Sequence, residues 1–194
     1  MVNSSRVAII GAGSVGASIA FALLLQKISS EILLVDIVSE TVEGQCDIVV
    51  ITAGAKQKSG ESRVKIAENA THSYVLGEHG DSQIIAWSSA QVGDKEVVAK
   101  EIASKAYKII ELKGVTYFGI AGCVSMLVQC IVLNQKHIRP LSTCIKEYDC
   151  VFSMPVVLGS QGVERVIDIS LSEEEKNKLR CSASTLKSIC AKYL

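Results

Sequence analysis

Val7-Ala8-Ile9-Ile10-Gly11-Ala12-Gly13-Ser14-Val15-Gly16 is the stretch on which the fold turns. Four apolar residues predict a short buried parallel strand. A G-x-G-x-x-G follows at once and opens a predicted helix, Ala17 to Gln26, with Ile19, Leu23 and Leu24 on its apolar face. A second apolar run, Ile32-Leu33-Leu34-Val35, ends in Asp36, twenty residues beyond Gly16. Strand, glycine loop, helix and an acid-terminated strand, in that order, form an arrangement suited to a dinucleotide. Gly11 permits the tight turn, Gly13 lets the backbone approach a pyrophosphate, and Gly16 allows close helix–strand packing. The amides near Ser14 and Val15 sit where the helix dipole favours phosphate. Asp36 is placed to accept hydrogen bonds from ribose hydroxyls. Its charge would repel a 2′-phosphate, which favours NAD over NADP. The alternative is a glycine-rich turn and a strand-end acid with no ligand.

Working outward, Ile48-Val49-Val50-Ile51-Thr52 is a third strand-like run, and Tyr74-Val75-Leu76 a weaker fourth. Thr52-Ala53-Gly54-Ala55 closes the third run with small residues that would let the backbone touch a cofactor. On spacing alone it reads equally well as an ordinary strand-to-loop turn. Only ten residues separate Asp36 from Asp47, which leaves room for a short helix but no further strand. Arg63 to Tyr74 likewise holds one helix at most. Beyond them the pattern changes. Lys95 to Lys113 has an apolar stripe at Val98, Ile102, Ala106, Ile109 and Leu112, with Gly114 as a C-cap. Phe118 to Leu133 predicts a buried helix. Val151 to Leu158 and Val163 to Ile169 flank the turn Gly159-Ser160-Gln161-Gly162, and short antiparallel strands are expected from Leu141 to Ile169. Ser172 and Glu175 form a capping box for a last helix, with Leu179, Ala183, Leu186 and Cys190 on one face. The expected fold class is α/β. A shortened Rossmann-type, mostly parallel sheet occupies residues 1–77, and a C-terminal α+β substrate lobe occupies 78–194.

Composition narrows the function. The chain has 194 residues, 48% hydrophobic and 21% charged, which suits a globular protein. Twenty basic residues balance twenty acidic ones, so nucleic acid and anionic membranes lose their usual electrostatic attraction. No signal peptide is read at the N-terminus, and Phe118 to Leu133 falls short of the ~20 residues a bilayer needs. Cys46, Cys123, Cys130, Cys144, Cys150, Cys181 and Cys190 form no C-x-x-C pair, and His72, His79 and His137 lack ligand spacing. Reduced thiols in the cytoplasm are expected and no metal site is.

Three segments together carry a resemblance. They are Ile9 to Gly16 with Leu34-Val35-Asp36, Ile51-Thr52-Ala53-Gly54-Ala55-Lys56-Gln57-Lys58-Ser59-Gly60-Glu61-Ser62-Arg63, and Val75-Leu76-Gly77-Glu78-His79-Gly80-Asp81-Ser82. They are similar to the L-lactate branch of the lactate/malate dehydrogenase family. The similarity continues through Lys113 to Thr116, Phe152-Ser153-Met154-Pro155 and the capped last helix. The resemblance implies NAD-linked oxidoreduction of a 2-hydroxy acid. It makes His79 the general acid/base and Arg63 the residue that polarises the substrate carbonyl. It places Gln57 at the specificity position, where a neutral amide resembles the lactate enzymes and an arginine marks the malate enzymes. Lys56 and Lys58 flank it, so a shift of one residue would bring a cation there. It puts Thr116 in the substrate pocket and makes Ala55 to Arg63 a loop that closes over substrate. It implies a cytoplasmic homo-oligomer, tetramer or dimer.

The family's Leu-Asp-x-x-Arg segment, whose aspartate orients the histidine and whose arginine grips the substrate carboxylate, is missing. The chain contains no Leu-Asp dipeptide, and neither Pro140 nor Pro155 follows an asparagine as in the family's Asn-Pro segment. Glu68 to His72 joins sequence from before that region to sequence from after it. Shorter gaps follow Gln45 and lie near Gly93. Three readings result, the first two being an active lactate-type dehydrogenase and an impaired form that binds at most NAD or a partner. An unrelated Rossmann-type binding module is the third. Little or no turnover is expected.

Overall fold

β1 (Arg6–Ile10), β2 (Glu31–Val35) and β3 (Ile48–Ile51) form one parallel sheet in the order β2-β1-β3. Ile10 is level with Val35 on one side and Ile51 on the other, so the three strands end together. The structure is a computed structural model that describes residues 5–36, 46–53, 74–78, 82–90, 109, 111–114 and 116–191. It divides into two compact units. One comprises Met1–Ser59, Lys113–His137 and Leu158–Gly162, the other Gly60–Leu112, Ile138–Val157 and Val163–Leu194.

In the first unit the sheet is held by its centre. Val7, Ala8 and Ile9 of β1 are wholly buried, as a strand covered on both faces requires. α1 (Ser14–Gln26) crosses from β1 to β2. Its Ile19 and Leu23 pack with Val7 and Ile9, and α2 (Phe118–Val132) adds Ala121 and Val128 to the same core. Gln26 Nε2 donates to the buried Ser125 hydroxyl of α2 at 3.2 Å, tying the helices by a polar contact as well. Two expectations change. Leu24, grouped with Ile19 and Leu23 by spacing, is 66% exposed because it lies one residue round the helix from Leu23. α2 is covered unevenly: Phe118 and Met126 are exposed, while Cys130, on the side opposite Ala121, is buried with its Sγ 3.2 Å from the Leu158 carbonyl oxygen.

In the second unit, Tyr74-Val75-Leu76 departs from the expected alternation. β4 (Val75–Leu76) joins no parallel sheet among the described residues; it pairs antiparallel with β5 (Ile84–Ile85). Gly77 then bridges to Ser153, amide to carbonyl in both directions, at 3.1 and 3.0 Å. β6 (His137–Ile145), β7 (Cys150–Gly159) and β8 (Gly162–Val166) form a three-stranded sheet, with the expected turn at Ser160 and Gln161. α3 (Glu173–Cys190) supplies Leu179 and Ala183 to a core with Leu76, Ile84, Phe152 and Met154. Tyr148 meets Phe152 edge to face at 5.4 Å. Of the expected helix Lys95 to Lys113, Ile109 and Glu111–Lys113 are helical; its earlier part lies outside the described residues.

The capping box is built as read. Ser172 Oγ accepts from the Glu175 amide at 3.2 Å, and Glu175 Oε2 accepts from the Ser172 amide at 2.8 Å. Glu175 Oε1 also takes the Ser88 amide at 3.0 Å. Burial opposes the charge on Glu175, but the Ser88 and Ser172 donors overcome it and hold the carboxyl below its ordinary value. A carboxylate depressed in the fold stabilises the protein above its unfolded pKa. That contribution fades as pH falls through the folded value. Glu175→Gln should therefore flatten the acid limb of a stability–pH curve, and Ser172→Ala should cost about 1 kcal/mol in urea unfolding.

Candidate cofactor and catalytic site

The ends of the three parallel strands gather the predicted nucleotide residues at one edge of the sheet. Gly11 turns the chain out of β1 with φ +105, which a side chain would strain, and its amide donates to the Val35 carbonyl at 2.7 Å. Ala12 donates its amide to Asp36 Oδ2 at 3.1 Å, so the acid closing β2 already faces the glycine loop. From β3, the Thr52 amide donates to the Ile10 carbonyl at 2.7 Å. The Thr52 hydroxyl lies 2.8 Å from the Gly11 carbonyl and 3.2 Å from that of Ile10. Spacing had left Thr52 undecided between a cofactor contact and a plain turn. Its observed work is to brace the loop from beneath.

The space above the loop differs from the space below it. A Cβ on Gly16 would overlap the Gly11 carbonyl oxygen and lie 2.8 Å from Thr52 Oγ1. A Cβ on Gly13 would meet nothing within 4 Å. Gly13 is also the N-cap of α1, and no side chain hydrogen-bonds to that cap. The amides of the first turn, Ser14 to Gly16, thus follow directly on the open space at Gly13, with the helix dipole behind them and no acidic residue among them. Val15 is half-buried and packs on the unit's core, which fixes the direction of that turn. A diphosphate fits these features: donors in a row, positive potential and a gap that a side chain at Gly13 would fill. Asp36, exposed beside it, suits a sugar diol.

Gly54, Ala55, Gln57, Arg63 and His79 lie outside the described residues. Thr116 is half-buried, two residues before α2. Glu78 and Ser82, which flank His79 in the sequence, both meet α3. The Glu78 amide donates to Ser182 Oγ of α3 at 2.8 Å, Ser82 Oγ lies 3.2 Å from the same oxygen, and Ser82 Oγ donates to Glu78 Oε2. Sequence reading missed Ser182, because a serine inside a helix carries no signal of a partner a hundred residues away. Among the described residues, no group of three or more His, Cys, Asp or Glu could hold a metal, none of the cysteines forms a disulfide, and no helix is long and apolar enough to cross a membrane.

Residues 5–46 match the NAD-binding domain of lactate/malate dehydrogenase, and residues 52–194 match the alpha/beta C-terminal domain. The chain belongs to the lactate/malate dehydrogenase family. It is 33% identical over 298 residues to L-lactate dehydrogenase A of Rhizopus oryzae, covering 97% of this chain and 93% of that protein. An L-lactate dehydrogenase of Halalkalibacterium halodurans is 26% identical over 304 residues, covering 98% of each. The crystal structure of a lactate dehydrogenase from a deep-sea metagenome shares the fold with a TM-score of 0.80 at 24% identity, over 96% of this chain and 98% of that one. Malate dehydrogenase of Archaeoglobus fulgidus, solved in complex with NADH, also reaches a TM-score of 0.80, at 25% identity over 94% and 97%. This member of the lactate/malate dehydrogenase family is thus an NAD-linked 2-hydroxy-acid dehydrogenase by descent, and NAD is its cofactor. It is an abbreviated member. The Rhizopus alignment runs over 298 positions while this chain has 194 residues, so many of that relative's positions have no counterpart here.

Proposed function

We propose that this chain is the L-lactate type of the family, acting on lactate and pyruvate, with its nucleotide half in place and its proton-transfer half incomplete. The observation that carries the nucleotide half is the clear space over Gly13 at the uncapped start of α1, with Asp36 beside it. The amides of Ser14, Val15 and Gly16 hold the pyrophosphate, Asp36 holds the adenosine ribose, and Gly54 and Ala55 let the β3 loop come close to the cofactor. When bound, NAD supplies the hydride acceptor. Gln57 reads a neutral substrate side chain, as the names of the curated L-lactate dehydrogenase relatives also suggest. Arg63 polarises the substrate carbonyl, His79 holds the proton, and Thr116 lines the substrate side. The seven scattered, unbridged thiols favour a cytoplasmic location.

A second reading, that the chain binds NAD with little turnover, is favoured by a specific absence. No Leu-Asp-x-x-Arg occurs in the sequence to orient His79 or to grip the substrate carboxylate. Calorimetric titration tests the part common to both readings. NADH is expected to bind the folded protein, and NADPH more weakly, because Asp36 repels a 2′-phosphate. Asp36→Asn should weaken NADH by about ten- to a hundredfold, corresponding to loss of a charge-assisted hydrogen bond of about 1.5–3 kcal/mol. It should also narrow the gap between the two nucleotides. Absence of heat with either nucleotide at millimolar concentration would reduce both readings to ancestry.

A further inference from the structure

We infer that Thr52, which follows β3, is a positioning residue for the amides that face a bound diphosphate. Together with Asp36 it clamps one peptide group, that between Gly11 and Ala12, from opposite sides of β1. This rests on the proposed contact of the Ser14, Val15 and Gly16 amides with the pyrophosphate.

The two side chains grip the two ends of a single amide. The Gly11 carbonyl oxygen lies 2.8 Å from Thr52 Oγ1, and the Ala12 N–H of the same peptide donates to Asp36 Oδ2 at 3.1 Å. That peptide is trans, so its C=O and N–H point in opposite directions. β2 and β3 stand on opposite sides of β1, and Asp36 follows the one as Thr52 follows the other. The Thr52 hydroxyl has one proton to give. Its other neighbour, the Ile10 carbonyl at 3.2 Å, already accepts the amides of Thr52 at 2.7 Å and Ala53 at 3.0 Å, which occupy both lone pairs of that oxygen. The proton therefore goes to Gly11. An amide that donates to a carboxylate accepts more strongly at its own oxygen, so each contact reinforces the other.

The peptide needs holding because Gly11, at φ +105, has no side chain to hinder rotation of the amide that follows it. The same carbonyl is the floor on which α1 starts. A Cβ on Gly16 would overlap the Gly11 oxygen and stand 2.8 Å from Thr52 Oγ1, so the α-carbon of Gly16 rests against the contact between them. Turning the peptide would withdraw that oxygen from beneath Gly16 and shift the first-turn amides with it. Asp36 thus has a second task besides the ribose, and Thr52 acts on the nucleotide only through the loop, since its proton is committed to Gly11.

Amide NMR and calorimetry with NADH on the full chain test this without requiring turnover. Asp36→Asn and Thr52→Val should each move the Ala12 amide proton resonance, although Thr52 holds the other end of that peptide. Thr52→Val should weaken NADH about three- to tenfold, as expected for one neutral hydrogen bond, and Thr52→Ser, which returns the hydroxyl, should recover most of the loss. In the double variant the combined loss should fall short of the product of the two single losses, because either change frees the same peptide. A role confined to stability predicts instead a lowered urea midpoint for Thr52→Val with unchanged NADH affinity in the folded protein. That result, an unmoved Ala12 resonance, or losses that multiply fully would overturn the inference. Should Thr52→Val not fold, Asp36→Asn decides: the Gly11 carbonyl carbon resonance moves if the peptide is clamped, and an unmoved one overturns the clamp. Failure of the pyrophosphate reading is distinguishable, since wild type would then bind no NADH while the Thr52-dependent shift at Ala12 persisted.

Discussion

Supplied with pyruvate and NADH, the purified chain is expected to reduce its substrate about 10⁴ times more slowly than a family enzyme with the complete catalytic segment. A histidine that delivers a proton as charge develops must present one nitrogen to the substrate while its other nitrogen is held. It must also be stabilised once charged. Here no Leu-Asp-x-x-Arg supplies the carboxylate. Removing the orienting carboxylate from an analogous histidine costs about 10⁴ in rate. The same absence removes the arginine that would pair with the substrate carboxylate, a bidentate, charge-assisted contact among the stronger single interactions available. The two losses act on different constants: the first lowers kcat, the second raises KM. Nucleotide binding is untouched by either, so NADH should still bind where turnover is missing. A steady-state rate of about 1 s⁻¹ or more, in the ordinary range for enzymes, would show that another carboxylate has taken over.

The second large effect separates two glycines three residues apart. Gly16→Ala should destabilise the first unit by about 3 kcal/mol, whereas Gly13→Ala should leave its stability nearly unchanged and weaken NADH binding by about a hundredfold or more. At Gly16 the added carbon would overlap the Gly11 carbonyl and crowd Thr52 Oγ1. Neither can retreat, because Gly11 is tied to Val35 and Thr52 to Ile10 and Gly11. Overpacking against backbone costs about 3 kcal/mol at the upper end of its usual range. That is a large share of a domain's stability of about 5–15 kcal/mol. Among the described residues, the first unit's sheet has three strands, with β2 and β3 on either side of β1. At Gly13 the same carbon enters open space, and the backbone (φ −66, ψ −174) is one alanine adopts readily. The cost is the loss of a good N-cap residue, about 1 kcal/mol or less. The carbon would then stand where a pyrophosphate must approach, and an affinity loss of a hundredfold or more, about 3 kcal/mol, is expected. Urea unfolding followed beside calorimetry reads both. Gly13→Ala binding NADH like wild type, or Gly16→Ala unfolding at the wild-type midpoint, would refute the geometry.

The sequence was most informative where the physics is local. Val7 to Gly16, the helix after it and the acid at residue 36 are decided by side-chain periodicity, by the backbone freedom of glycine and by the distance one helix spans. All of these are fixed within thirty residues. The Ser172–Glu175 capping box is equally local and formed as read. Partnership across the chain was not legible. Tyr74-Val75-Leu76 has the composition of a sheet strand, but its partner is Ile84–Ile85, running antiparallel. A short apolar run fits any sheet, and only packing selects one. Phe118 to Leu133 has the composition of a buried helix, but how much of it is covered depends on how many elements surround it.

By itself, then, the amino-acid order determined the glycine loop, the acid that faces it and the family to which both belong. Only the tertiary structure decided that Thr52 braces that loop and that Ser182 meets Glu78 across a hundred residues of chain. A hydroxyl has no preferred partner until folding buries it beside one, and burial then makes that partner obligatory.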